Sequence, residues 1–130
     1  MSYYFPGMIV GVILLQTTIF APTLFKTLNE KSAGKLIRAL FPKFFLVITA
    51  LGVCSLVAVL LRDEATLWQI GVAAASIVLP LICRGLIPRT NRARDEGDEK
   101  TFDWLHRVSV ILTVTVFIAN LLVPLLPIPV

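Results

Sequence analysis

The sequence predicts an all-α integral membrane protein: a four-helix bundle with both termini outside and a short amphipathic interfacial helix between helices 1 and 2. Three observations carry this. Hydrophobic residues make up 57% of the 130 positions and charged ones 15%, with a mean hydropathy of +0.87, too apolar for a water-soluble globule of this size. Charge is absent from four runs, Met1–Phe25, Phe44–Leu61, Ala65–Cys83 and Val108–Val130, each close to the roughly 20 helical residues that cross a hydrocarbon core. Lysine and arginine gather in the first and third connections, five and six of them, against Arg62 alone in the second. Lipid offers backbone groups no partner, and the runs lack the alternation of barrel strands, so helices are the physical option.

The elements follow in order as one domain, 1–130, with helices at about 4–25, 42–61, 66–84 and 102–123. Helix 1 carries Pro6 in its first turn, where a missing N–H is tolerated, and Pro22 in its last turns as a kink site. Gly7 and Gly11 are four apart, a spacing that lets another helix backbone come close. No basic segment precedes this run, so it reads as a retained helix rather than a signal peptide. After it, Thr27 to Glu30 resembles a capping box. Ala33, Leu36, Ile37, Leu40 and Phe41 then share one helical face while Lys31, Lys35 and Arg38 share the other, which predicts a helix lying on the membrane surface.

Pro42 opens helix 2, where Ala50, Cys54 and Ala58 repeat every four residues; helix 3 offers Gly71 and Ala75 at the same spacing. These small residues predict the helix contacts. The short joint at Arg62 to Thr66 makes helices 2 and 3 antiparallel neighbours. Pro80 lacks an N–H for the carbonyl one turn earlier and predicts a bend. The third connection divides into a basic half, with Arg84, Arg89, Arg92 and Arg94, and the acidic stretch Asp95 to Glu99. Thr101 is positioned to cap helix 4, and Pro124, Pro127 and Pro129 end it.

The charge distribution orients the chain by the positive-inside rule, with loops 26–43 and 84–107 in the cytoplasm and both termini outside an inner (plasma) membrane. Tyr3, Tyr4 and Trp68 map to the outer interface and Trp104 to the inner one, which agrees. On the inner side Lys31, Lys35, Arg38, Arg84, Arg89, Arg92, Arg94 and Arg107 are candidate contacts for anionic lipid headgroups. A surplus of +4 spread along a membrane face points to lipid and away from nucleic acid.

Candidate chemistry is sparse. His106, Ser109, Thr113 and Asn120 fall near one face of helix 4, and Gln16 with Thr17 lies at mid-depth on helix 1. Facing one another, they make a polar seam that either ties the helices together or lines a binding site. His106, the single histidine, is an interfacial polar residue, a proton-exchange group or, across two subunits, a haem ligand; Asp103 is the acid nearest in sequence. Cys54 lies about 15 Å deeper than the inner end of its helix, too far from Cys83 for a disulfide, and both read as small packing residues. No nucleophile triad, carboxylate pair, phosphate loop or metal-ligand spacing is present, so no catalytic residue, metal or cofactor is assigned.

The stretches "QTTIFAPTLFKTLNEKSAGKLIRALFPKFF" (16–45) and "RGLIPRTNRARDEGDEKTFDWLHRVSVIL" (84–112) resemble a four-helix membrane family known as domain of unknown function 4149. That family includes proteins similar to the animal transmembrane protein 205. The resemblance rests on Phe20, Phe25, Ala33-Gly34, Phe41-Pro42 and Phe102-x-x-Leu105-His106 with Ser109. It implies four helices, marks Asn91, His106 and Arg107 as residues the pattern would keep, and supplies no reaction. The expectation is therefore a non-enzymatic membrane subunit, self-associating as a homo-oligomer or bound in a larger complex. The alternative is a carrier of a small or apolar solute through an oligomeric assembly.

Overall fold

In the computed structural model, which describes residues 3–125, the chain forms four helices long and apolar enough to cross a membrane. The first span comprises α1 (Tyr4–Leu14), a π-helical stretch (Leu15–Phe20) and α2 (Ala21–Thr27). The others are α3 (Glu30–Leu60), α4 (Leu67–Asp95) and α5 (Glu99–Leu122), with a 3₁₀ turn at Val123–Leu125. No strand occurs among the described residues. Pro127 and Pro129, expected to help end the last helix, lie outside them.

Two boundaries differ from the sequence expectation, for one reason. Pro42 does not open a helix but sits inside α3, so the segment from Glu30 runs straight into the second span instead of lying on the surface as a separate helix. Likewise α4 continues through Pro80 and Pro88 to Asp95, so most of the charged stretch is helix rather than loop. A helix ends where its backbone groups find other partners, not where hydrocarbon ends. Asn29 supplies that partner before α3, accepting the Ser32 N–H at 2.8 Å, two residues beyond the expected Thr27 cap. Asp98, rather than Thr101, caps α5 by accepting the Thr101 N–H at 3.2 Å.

After α4, Gly97 adopts φ 71°, and the N–H groups of Gly97 and Asp98 return to the carbonyls of Arg94 and Ala93 at 3.2 and 2.9 Å. This paired closure needs a left-handed residue, which glycine adopts without steric cost. At the other end of α4, Thr66 and Gln69 form a reciprocal capping box.

The core follows alternating steps of three and four rather than strict fours. On α3, Phe45, Ile48, Gly52, Ser55 and Val59 are buried; on α4, Val72, Ala73, Ser76, Pro80 and Cys83. That is the seam of left-handed helix packing. It displaces the expected ridge: Ala50 and Cys54 are exposed, Ala58 and Ala75 only half-buried, and Gly71 faces open space. Every fourth residue drifts around a helix, whereas the large side chains Phe44, Phe45 and Ile48 decide which face turns inward. The helices α3 and α4 share the most extensive contact, α5 packs on α4, and α1 rests on both α3 and α5. Large apolar side chains such as Leu15, Phe25, Val57, Leu81 and Ile111 cover the outside, a surface suited to lipid.

Candidate functional site

Two clusters of polar groups stand out, one inside the bundle and one beyond its charged end.

The inner cluster begins with Pro80, which has no N–H to offer the carbonyl of Ser76. Gly52 of α3 lies against that carbonyl so tightly that a side-chain carbon there would be 2.7 Å from the oxygen. The Ser76 hydroxyl donates to the Val72 carbonyl at 2.8 Å and accepts from Asn120 Nδ2 of α5 at 2.8 Å. Asn120 also donates to the Val116 carbonyl at 2.8 Å, while its Oδ1 is buried without a partner. Ser55 is buried nearby on the same seam of α3. Three helices thus meet at one polar knot. Lower down, the Cys83 thiol reaches the Ser109 carbonyl at 3.7 Å, and Thr113 donates to the same carbonyl at 2.8 Å.

This arrangement replaces the expected seam between helix 1 and helix 4. Asn120, Thr113 and Ser109 turn toward α4, and His106 is exposed. Gln16 is half-buried, and the hydroxyls of Thr17 and Thr18 bond carbonyls of their own helix, at Ile13 (2.8 Å) and Leu14 (2.6 Å). No hydrogen bond joins Gln16 or Thr17 to α5 among the described residues. The cause is local. In the π-helical stretch, as at Ala21 N–H to Gln16 carbonyl, the chain widens just before Pro22, and the threonine hydroxyls are engaged by carbonyls of the preceding turn.

The second cluster stands on the ends of the helices that overrun the apolar core. At 1.5 Å per residue α3 is about 46 Å and α4 about 44 Å long, against a hydrocarbon thickness of about 30 Å. Arg38 of α3 holds Asp95 of α4 in a two-pronged ion pair, the longer contact 3.1 Å, and Arg94 approaches Glu30 at 3.8 Å. The hydrogen bond from Arg38 lowers the Asp95 carboxyl below the usual aspartate range, and its donors at Thr101 lower Asp98. Arg94 also lies over the Phe102 ring, 5.5 Å from its centre, and His106 stacks parallel on that ring at 5.8 Å. Ala33 and Ala93 are buried between the helices, small enough to bring them close, and Leu105 is buried on α5.

Arg38 and Arg94, both among the expected lipid contacts, therefore also bridge α3 and α4. Lys31, Lys35, Arg84, Arg89, Arg92 and Arg107 remain exposed. His106 stacks on Phe102 and makes no hydrogen bond to Asp103. Sequence reasoning missed Gly52, Ser55, Ser76 and Asp95 as participants. A signal for Ser76 was present, since it sits four residues before Pro80. The outward residues Gly7 and Gly11 likewise have nothing within 4 Å of an added Cβ, so they do not pack inside the monomer. No group of three or more metal-ligating side chains is gathered among the described residues.

Four apolar helices capped by a charged, ion-paired end define a multi-pass membrane protein. Residues 5–99 match the family described as Domain of unknown function (DUF4149), and the chain belongs to that family. Asn91 falls inside the matched region; His106 and Arg107 lie beyond it. Comparison with curated proteins and with solved structures gave no match.

Proposed function

We propose that this chain is a non-enzymatic membrane subunit that associates with copies of itself or with a larger membrane complex. The observation that carries this is the unfilled glycine surface: Gly7 and Gly11 on α1 and Gly71 on α4 face outward with nothing within 4 Å. In lipid, close backbone approach at small residues is a main source of helix association, and among the described residues no helix of the same chain takes up those positions. By the distribution of lysine and arginine, the overrunning helix ends lie in the cytoplasm of a plasma (inner) membrane, with both termini outside and Lys31, Lys35, Arg84 and Arg107 near anionic headgroups.

The test is the mass of the full chain in lipid nanodiscs or mild detergent, alongside Gly11→Leu. An oligomer or a foreign subunit co-purifying with the wild type, lost in the variant, supports the proposal. A monomer at every concentration with no partner refutes it. A second reading, a carrier of a small or apolar solute, is favoured by the π-helical stretch Leu15–Phe20, because such stretches inside helices recur at functional sites. Solute flux into vesicles containing the purified protein decides between the two.

A further inference from the structure

A cleft of about 210 Å³ lies where the last turns of α4 meet the first turn of α5, lined by Arg89, Arg92, Ala93, Glu96, Asp98 and Thr101. Arg89, Ala93 and Glu96 recur along one face of α4 at steps of four and three, with Arg92 beside them, and the methyl group of buried Ala93 leaves the floor open. Charges of both signs face this space. Yet among the described residues neither guanidinium pairs with a carboxylate, and Glu96 pairs with no cation. Asp98 is already engaged with the Thr101 N–H.

A simple anion here would meet two carboxylates along with its two arginines, and a simple cation would meet the reverse. A group with a negative and a positive end on a short arm finds a partner at each. Guanidinium forks match phosphate oxygens, and a carboxylate matches an ammonium that still has N–H groups to donate. At about 210 Å³ the cleft is smaller than the pockets of about 300 Å³ and more that hold drug-sized ligands, which suits a headgroup.

The direction of α4 points to the source. This helix leaves the apolar core toward its C-terminus, and helical side chains tilt toward the N-terminus, so its arginines lean back to the bilayer. Arg89 and Arg92 stand about 7.5 and 12 Å along the axis beyond Arg84, the first charge past the apolar run; the headgroup layer extends about 5–8 Å beyond the hydrocarbon, and the backward-leaning apolar stems carry both guanidinium groups toward it.

We propose that this cleft is a binding site for a zwitterionic phospholipid headgroup, phosphoethanolamine, with the phosphate on Arg89 and Arg92 and the ammonium on Glu96. The proposal rests on the membrane setting alone and is independent of self-association.

The full chain in mild detergent is titrated with short-chain phosphatidylethanolamine, phosphatidylcholine and phosphatidylglycerol, and with soluble phosphoethanolamine, and bound ligand is counted by native mass spectrometry. Phosphatidylethanolamine is expected to bind about tenfold tighter than phosphatidylcholine, whose trimethylated nitrogen donates no hydrogen bond. Glu96→Gln should erase that preference, and the double variant Arg89→Gln/Arg92→Gln should weaken both lipids alike. These positions are exposed, and the comparison of lipids on the wild type needs no variant at all. Equal binding of the ethanolamine and choline lipids, or tighter binding of phosphatidylglycerol, overturns the proposal in favour of an unselective basic surface. Soluble phosphoethanolamine binding as tightly as the lipid overturns the membrane as the source of the ligand.

Discussion

Gly52 of α3 lies flat against the backbone carbonyl of Ser76 in α4, and a side-chain carbon at Gly52 would stand 2.7 Å from the oxygen and 2.8 Å from the carbonyl carbon. The nearest atoms are backbone, which cannot swing aside. Because Pro80 leaves this carbonyl without its helical N–H, the close approach also brings a Cα–H group to an oxygen that lacks its usual donor. Gly52→Ala should therefore push α3 and α4 apart and cost about 1–3 kcal/mol. Unfolding in mixed micelles checks it, with Gly85→Ala, at an open position of α4, as the control within about 0.5 kcal/mol of wild type. Equal stability of the two variants would show that the helices do not meet at Gly52.

Asn120 spends two donors well and leaves one acceptor buried and idle. Asn120→Leu removes the hydrogen bond to Ser76 and the orphaned oxygen together, so the two effects offset, and the change should stay within about 1 kcal/mol. Asn120→Asp, which puts a carboxyl group in the same apolar surroundings, should destabilise by much more. A large loss in the leucine variant, read by the same unfolding assay, would mean that Oδ1 has a partner in the assembled protein.

The Arg38 to Asp95 pair ties α3 to α4 beyond the apolar core. Its aspartate titrates below the usual range because Arg38 donates hydrogen bonds to the ionised form, so the contribution is present above the ordinary aspartate pKa. It is lost as pH falls through the lowered value. Amide protection in 94–98, the exchange rate relative to the intrinsic rate at each pH, should fall in that acidic window and hold between pH 5 and 8. Asp95→Asn should show the low protection at every pH, and an unchanged profile in that variant would show that the pair does not hold this segment.

Gly97 closes α4 with a left-handed backbone, φ 71°. Gly97→Ala should cost about 1 kcal/mol, because a Cβ is strained in that region whatever space surrounds it. Gly34→Ala, in a right-handed helix with room for the methyl, should be neutral or slightly stabilising. Comparing the two melting curves separates backbone strain from packing.

The number of spans was legible because hydrocarbon thickness imposes a length that apolar runs must meet. Helix ends were less legible. Charge marks where lipid stops, and Lys31 or Arg92 can sit on a helix in water as readily as on a loop; Asn29 and Gly97 were the informative residues. The inward faces were misread at Ala50 and Cys54 because residue size says which positions permit contact, whereas the bulky Phe45 and Ile48 determine which positions make it. The pairing of Arg38 with Asp95, 57 residues apart, depends on the tertiary path of the chain and has no local signature. Asn120 and Ser109 were recognisable as inward polar residues, but their partners on α4 were not, since the angular order of four helices is not written in any single one.

The widened turn at Leu15–Phe20 has a consequence for any neighbour of the first span. One surplus residue in a turn advances the side chains after it by roughly a quarter revolution relative to those before it. The edge bearing Gly7 and Gly11 is thereby out of phase with the edge that would continue it beyond Phe20 in a regular helix. A straight companion helix can thus follow one half of this span or the other, and the protein has, on a single rod, two separately addressed surfaces.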